Sequence, residues 1–177
     1  MLYKRHFNKY IAVLILATIV AGEYMLTDKD LSFIREVEGC KLSAYQDEGG
    51  VWTIGYGHTR GVKEGDRIST YQANTWLNTD IIIFEIELDH LVKVDLSRNQ
   101  RTALLSFIYN IGATQLADST LIQYVNKKQF DLVPNEIRKW NKVDNVVSIG
   151  LTNRREKEAI LFEKETIHPY YRGEGRW

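Results

Sequence analysis

The chain has 177 residues, of which 44% are apolar and 26% charged. That balance supports a folded core and excludes wholesale disorder. Lys plus Arg and Asp plus Glu number 23 each, so no protein-wide basic field marks the chain for nucleic acid, and no nucleic-acid partner is expected. A single cysteine, Cys40, excludes an intramolecular disulfide. Its expected role is that of a small buried residue. The late basic residues Arg138, Lys139, Lys142, Arg154, Arg155 and Lys157 are expected to form a solvated helix face.

The N-terminus has the pattern of an export signal. Lys4, Arg5 and Lys9 precede an uncharged run, Tyr10 to Gly22, and the basic flank is expected to stay cytoplasmic. Thirteen helical residues rise only about 20 Å, against roughly 30 Å of hydrocarbon. Ala12, Ala17, Thr18, Ala21 and Gly22 weaken the run further, and lengthening it would bury Glu23. The segment suits a cleaved signal peptide with Val20-Ala21-Gly22 at the cut, or a marginal anchor able to leave the bilayer intact. A buried core helix is disfavoured by the basic flank. We divide the chain into an export or anchor segment, 1–26, and one domain, 27–177.

Beyond this segment the elements follow in order. Thr27 to Asp30 offers N-caps, and Leu31, Ile34 and Val37 recur at helical spacing with Phe33 among them. This predicts a short helix over about 29–38, ended by Gly39. Residues 40–69 are glycine-rich and carry the β-prone run Val51-Trp52-Thr53-Ile54, which predicts a small antiparallel sheet. From Ser69 the pattern is helical. Leu77, Ile81, Phe84, Leu88 and Leu91 mark a long helix, and Leu104, Phe107, Ile108 and Ile111 a second. Leu121, Tyr124 and Val125 mark a third, Ile137 and Trp140 a fourth, and Ala159, Ile160 and Phe162 a fifth. Gly112–Ser119 and Asn141–Gly150 are expected to be turns, and the polar, aromatic tail follows from 164. The fold class is α+β, a small sheet piece joined by a long helix to a helical lobe, with the cleft between them as the natural site.

Three residues in the sheet region and the helix before it invite chemistry. Glu38 falls in the last turn of its helix, where the helix dipole disfavours negative charge, and partial burial would raise its pKa further. A carboxyl protonated near neutral pH is what a general acid requires. Asp47, before Glu48-Gly49-Gly50, is by itself a turn residue; its functional reading is the second carboxylate that glycoside hydrolysis needs. Thr53 points away from Trp52 and Ile54 along its strand and can hold a water. Gly55-Tyr56-Gly57-His58 lets a ligand approach the backbone, although His58 alone is more readily a structural histidine. No metal-ligand spacing and no phosphate loop is present, so no metal and no cofactor is expected.

Together these residues carry a resemblance. Glu38, Asp47 and Thr53 stand at the spacing Glu-x8-Asp-x5-Thr, and the string EGCKLSAYQDEGGVWTIGYGHT around them resembles the first motif block of the phage-type lysozymes, glycoside hydrolase family 24. QRTALLSFIYNIG from Gln100, Ser119-Thr120-Leu121, and GLTNRREKEAILF from Gly150 resemble its later blocks. The resemblance implies a two-lobed lysozyme fold that cleaves the β-1,4 bond between N-acetylmuramic acid and N-acetylglucosamine in peptidoglycan glycan strands, usually with inversion. Glu38 would protonate the leaving oxygen, and Asp47 with Thr53 would serve the water or the oxocarbenium-like centre. Tyr56, His58, Tyr109 and Asn110 would bind substrate.

The N-terminus also resembles that of signal-anchor-release endolysins, which are exported tethered to the inner membrane and later freed to the periplasm. The run at residues 10–22 would be the membrane contact. Some relatives use disulfide exchange with a cysteine in the anchor; here the anchor has none, so latency would be steric or conformational. A monomer is expected. Two other activities fit the same residues less well: a lytic transglycosylase, which needs only the acid, and a non-catalytic wall-binding protein, which would have lost Glu38 or Asp47.

Overall fold

In the computed structural model the described residues are 26–47 and 49–164. The expected anchor at residues 10–22 and the tail beyond 164 lie outside them. No helix among the described residues is long and apolar enough to cross a membrane. The chain divides into two compact units, Met1–Ser32 and Phe33–Trp177. Helix α1, Asp28–Glu38, begins in the first and ends in the second. In the first unit its start is capped as the sequence predicts: the Thr27 amide and hydroxyl both donate to the Asp30 carboxylate, at 2.7 and 2.6 Å.

In the second unit, β1 (Lys41–Gln46) pairs antiparallel with β2 (Trp52–Gly55), setting Tyr45 opposite Thr53. The sheet is extended by single bridges from Ser43 to Arg67 and from Ile54 to His58. Helix α2, Thr70–Leu91, follows. Its Leu77, Ile81 and Leu88 are buried, while Phe84 and Leu91 are half-buried. Helix α3, Arg98–Ile111, buries every residue from Thr102 to Ile108. Both helices start on a capping box, Ser69 with Gln72 and Ser97 with Gln100, which satisfies otherwise orphaned amides.

Helices α4 (Ala113–Ala117), α5 (Thr120–Asn126), α6 (Val133–Arg138) and α7 (Ile149–Glu163) complete the helical lobe. The stretch expected to be a turn, Gly112–Ser119, therefore holds a short helix whose Leu116 is fully buried. Trp140 lies beyond α6 and meets Phe107 edge-on at 5.7 Å. Within Asn141–Gly150 the chain forms a hairpin, β3 (Lys142–Val143) with β4 (Val146–Val147). Asp144 and Asn145 connect the strands at φ of 49° and 64°. Positive φ at both connecting residues is the type I′ pattern that matches strand twist, and Asp and Asn tolerate it.

Two expectations are corrected. Cys40 is exposed, not buried: the chain leaves α1 through Gly39 and enters β1 along an edge where residues 40–43 all face solvent. The late basic cluster is not a uniform solvated face. Arg154 and Arg155 are 8% and 0% exposed, because α7 packs against α3 and α6 and both guanidinium groups lie against the buried carboxylate of Glu158.

Candidate active site

Helix α1 stops at Glu38 because Gly39 adopts φ +67°, a left-handed conformation that glycine reaches without steric penalty. Glu38 thereby occupies the negative end of its helix, with a side chain only 12% exposed. Burial raises its carboxyl above the ordinary glutamate range; Arg154 draws it back, Glu158 adds to the rise and Arg155 opposes it.

The partner of Glu38 comes from α7. Arg154 donates from one Nη to Glu38 Oε1 at 2.6 Å and to the Ser106 carbonyl at 2.8 Å. Its Nε donates to Glu158 Oε1 at 3.0 Å. Burial works to lower the Arg154 pKa, but Glu38 and Glu158 together raise it by more, and an arginine guanidinium is in any case protonated at neutral pH. Arg154 is thus a fixed charge against which Glu38 exchanges its proton.

Asp47 is exposed and forms the turn its sequence predicts. Its Oδ1 accepts from the amides of Gly49 and Val51 at 2.9 and 2.8 Å, and its carbonyl accepts from Gly50. The turn holds the carboxylate rigidly at the start of the β-hairpin connection. Thr53 is 3% exposed, and its hydroxyl donates to the Val51 carbonyl at 2.9 Å. That bond uses the Thr53 proton and orients the oxygen lone pairs. Tyr45, opposite Thr53 on β1, feels the negative charges of both Asp47 and Glu38; burial first, then those two charges, raise its phenol pKa. Tyr45 is thereby the common neighbour of the two carboxylates.

The remaining expected residues fall into two groups. Asn110 and Asp47 both line a cleft of about 890 Å3, together with Arg154, Gln115, Trp140 and Lys142. Glu38 is not part of that lining and reaches it through Arg154. Tyr109 donates its hydroxyl to the Tyr56 carbonyl at 2.8 Å and packs edge-on against Phe84. Burial, with the charges of Asp80 and Glu38, pushes its phenol far up. Tyr56 is buried, at 9% exposure, and joins this wall through its backbone. A Cβ on Gly57 would lie 3.6 Å from the Tyr109 ring and 3.9 Å from Glu38 Oε2, so the Gly57 backbone approaches the acid closely. His58 has both ring nitrogens occupied, Nδ1 by Asp80 Oδ2 at 2.6 Å and Nε2 by the Arg60 carbonyl at 3.1 Å. Its ring lies 4.7 Å from that of Trp76, which pins β2 to α2.

Sequence reasoning placed Arg154 on the surface and assigned no role to Tyr45, Asp80 or Glu158. For Glu158 a signal existed: it stands three and four residues after Arg155 and Arg154, the spacing at which helical charges meet. Among the described residues no group of His, Cys, Asp and Glu is arranged to hold a metal.

Residues 35–158 match the phage lysozyme family model. The endolysin of Acyrthosiphon pisum secondary endosymbiont phage 1 is 37% identical over 142 residues, covering 78% of this chain and 97% of that one. The SAR-endolysin of enterobacteria phage P21 is 31% identical over 126 residues, covering 71% and 76%. Among solved structures, the endolysin from Escherichia coli O157:H7 phage FAHEc1 superposes with a TM-score of 0.74 at 36% identity, over 80% of this chain and 94% of that one. The family match begins within α1 and ends within α7; the chain belongs to the phage lysozyme family and is a peptidoglycan-hydrolysing muramidase.

Proposed function

We propose that this enzyme is an endolysin that hydrolyses the β-1,4 bond between N-acetylmuramic acid and N-acetylglucosamine, with Glu38 as general acid. One observation carries the reading: a helix-terminal carboxyl, largely buried and held above its ordinary range, bonds Arg154, which lines a cleft together with a second carboxylate, Asp47. Two carboxyls in unlike environments divide the labour of glycoside hydrolysis. Glu38 gives its proton to the leaving glycosidic oxygen, and Arg154 stabilises the glutamate that remains. Asp47, through the oxygen its turn leaves unused, and Thr53, through its oriented lone pairs, serve the water or the cationic sugar.

The test uses the full chain in detergent beside its Glu38→Gln variant on purified peptidoglycan. Soluble fragments with reducing N-acetylmuramic acid ends, lost in the variant, support the reading. Anhydro ends would identify a lytic transglycosylase, and reducing N-acetylglucosamine ends would move the cleaved bond.

The cellular part of the proposal concerns residues 10–22. The short apolar run behind a basic flank, with the resemblance to a SAR-endolysin, supports export to the periplasmic face of the inner membrane, tethering there and later release as a monomer. The tether lies few residues upstream of α1, the helix that ends on the acid. Holding the run in the bilayer therefore acts on the placement of Glu38, which accounts for latency without a second thiol.

A further inference from the structure

Glu158 is fully buried on α7, at 0% exposure, in a lobe otherwise packed with Leu104, Phe107 and Ile137. A carboxylate in that setting needs a compensating partner, and this one has three. Its Oε1 accepts from the Ser106 hydroxyl at 2.6 Å and from Arg154 Nε at 3.0 Å. Its Oε2 faces Arg155 Nε at 3.2 Å in an ion pair without hydrogen-bond geometry. Arg155 is itself fully buried; one Nη donates to Asn110 Oδ1 at 2.6 Å, and the guanidinium lies 4.7 Å from the Phe107 ring centroid. Burial brings the Arg155 pKa down to about 10, against the pull of Glu158.

The cluster therefore links two cations and two acids in one chain of contacts, Arg155, Glu158, Arg154 and Glu38. Resting on the assignment of Glu38 as the acid, we propose that Glu158 is a positioning residue for the reaction: it aims the free edge of Arg154 at Glu38 and offsets the charge of both guanidinium groups. With Glu158 in place, Glu38 faces a cation already shared with another carboxylate. Without it, two buried guanidinium groups would have Glu38 as their nearest anion, and the acid would surrender its proton to solvent before the glycosidic oxygen could take it. Among the described residues, Tyr45 from β1 and Tyr109 from α3 also feel the charge of Glu38. Both phenols are pushed upward, so neither changes charge in the working range.

Opposite displacements in two variants test this. The full chain in detergent is assayed for kcat and KM across pH on soluble glycan strands, beside Glu158→Gln and Arg155→Gln. Removing the carboxylate should move the alkaline limb of kcat to lower pH by about one unit, roughly a tenfold loss above the limb. Activity should return on acidification and KM should hold. Removing Arg155 should move the limb upward. Glu158→Asp, which keeps the charge, should restore most of the parent profile. A merely structural role predicts a uniform loss at every pH with the limb unmoved, and that result in either folded variant overturns the proposal. Should Glu158→Gln fail to fold, the direction of the Arg155→Gln limb decides alone. The parallel Glu38→Gln control separates the two levels. If it retains activity, the acid assignment falls; if it is dead while the limbs of the other variants stay put, only the role of Glu158 falls.

Discussion

Glu38 is the residue on which opposed forces meet. Helix-end location and burial favour its neutral form, and Arg154 at 2.6 Å favours the ion. The direction is upward because burial outweighs the pull of Arg154, and the charge of Glu158 adds to the rise. Replacing Glu38 with Gln keeps the shape and removes the proton, so kcat should fall by about 10²–10⁴-fold, with circular dichroism unchanged. Thr53→Val removes the donor to the Val51 carbonyl in a buried site, which should cost about 1 kcal/mol in urea unfolding and reduce kcat; Thr53→Ser should recover most of both. At this scale the sequence was informative where local chemistry decides. Gly39 announces the end of α1, and Asp47 before a glycine pair announces its turn. It was silent where tertiary packing decides. An arginine on a helix defaults to solvent, and nothing within α7 alone says that Arg154 and Arg155 face α3.

At the scale of elements, caps and turns position the site. Helix α3 carries Ser106, Tyr109 and Asn110, and its start depends on the Ser97–Gln100 capping box. Ser97→Ala should lower unfolding free energy by about 1 kcal/mol while leaving kcat within twofold of the parent, a result checked by urea denaturation beside the activity assay. Gly57, at φ +97°, brings backbone close to the acid. Gly57→Ala should cost about 1–3 kcal/mol in backbone strain and also depress kcat, since the new methyl would stand against Glu38 and Tyr109. Long helices were legible because their apolar positions recur over several turns. Helix α4 was not, since five residues after a glycine carry too little periodicity. The β3–β4 hairpin was not either, because its strands are two residues long; its Asp144-Asn145 pair was the available sign.

At the scale of the molecule, the proposed export segment precedes the lysozyme unit in the chain. The marginal hydrophobicity of residues 10–22 predicts that lengthening the run with leucines to a full span should keep the enzyme in the membrane fraction and silent, and that detergent extraction should restore its activity. A membrane-locked enzyme as active as the extracted one would dissociate tethering from latency.

The role of general acid requires that Glu38 keep its proton to higher pH than an ordinary glutamate. The direct measurement is a carboxyl carbon NMR titration of the full chain in detergent, labelled at glutamate, with the Glu38 signal assigned by its absence in Glu38→Gln. The expected midpoint lies above the reference glutamate value of 4.5 and moves toward it when Glu158 is replaced by Gln. A Glu38 midpoint at or below that value would show that Arg154 prevails over burial, and would remove Glu38 from the role of general acid.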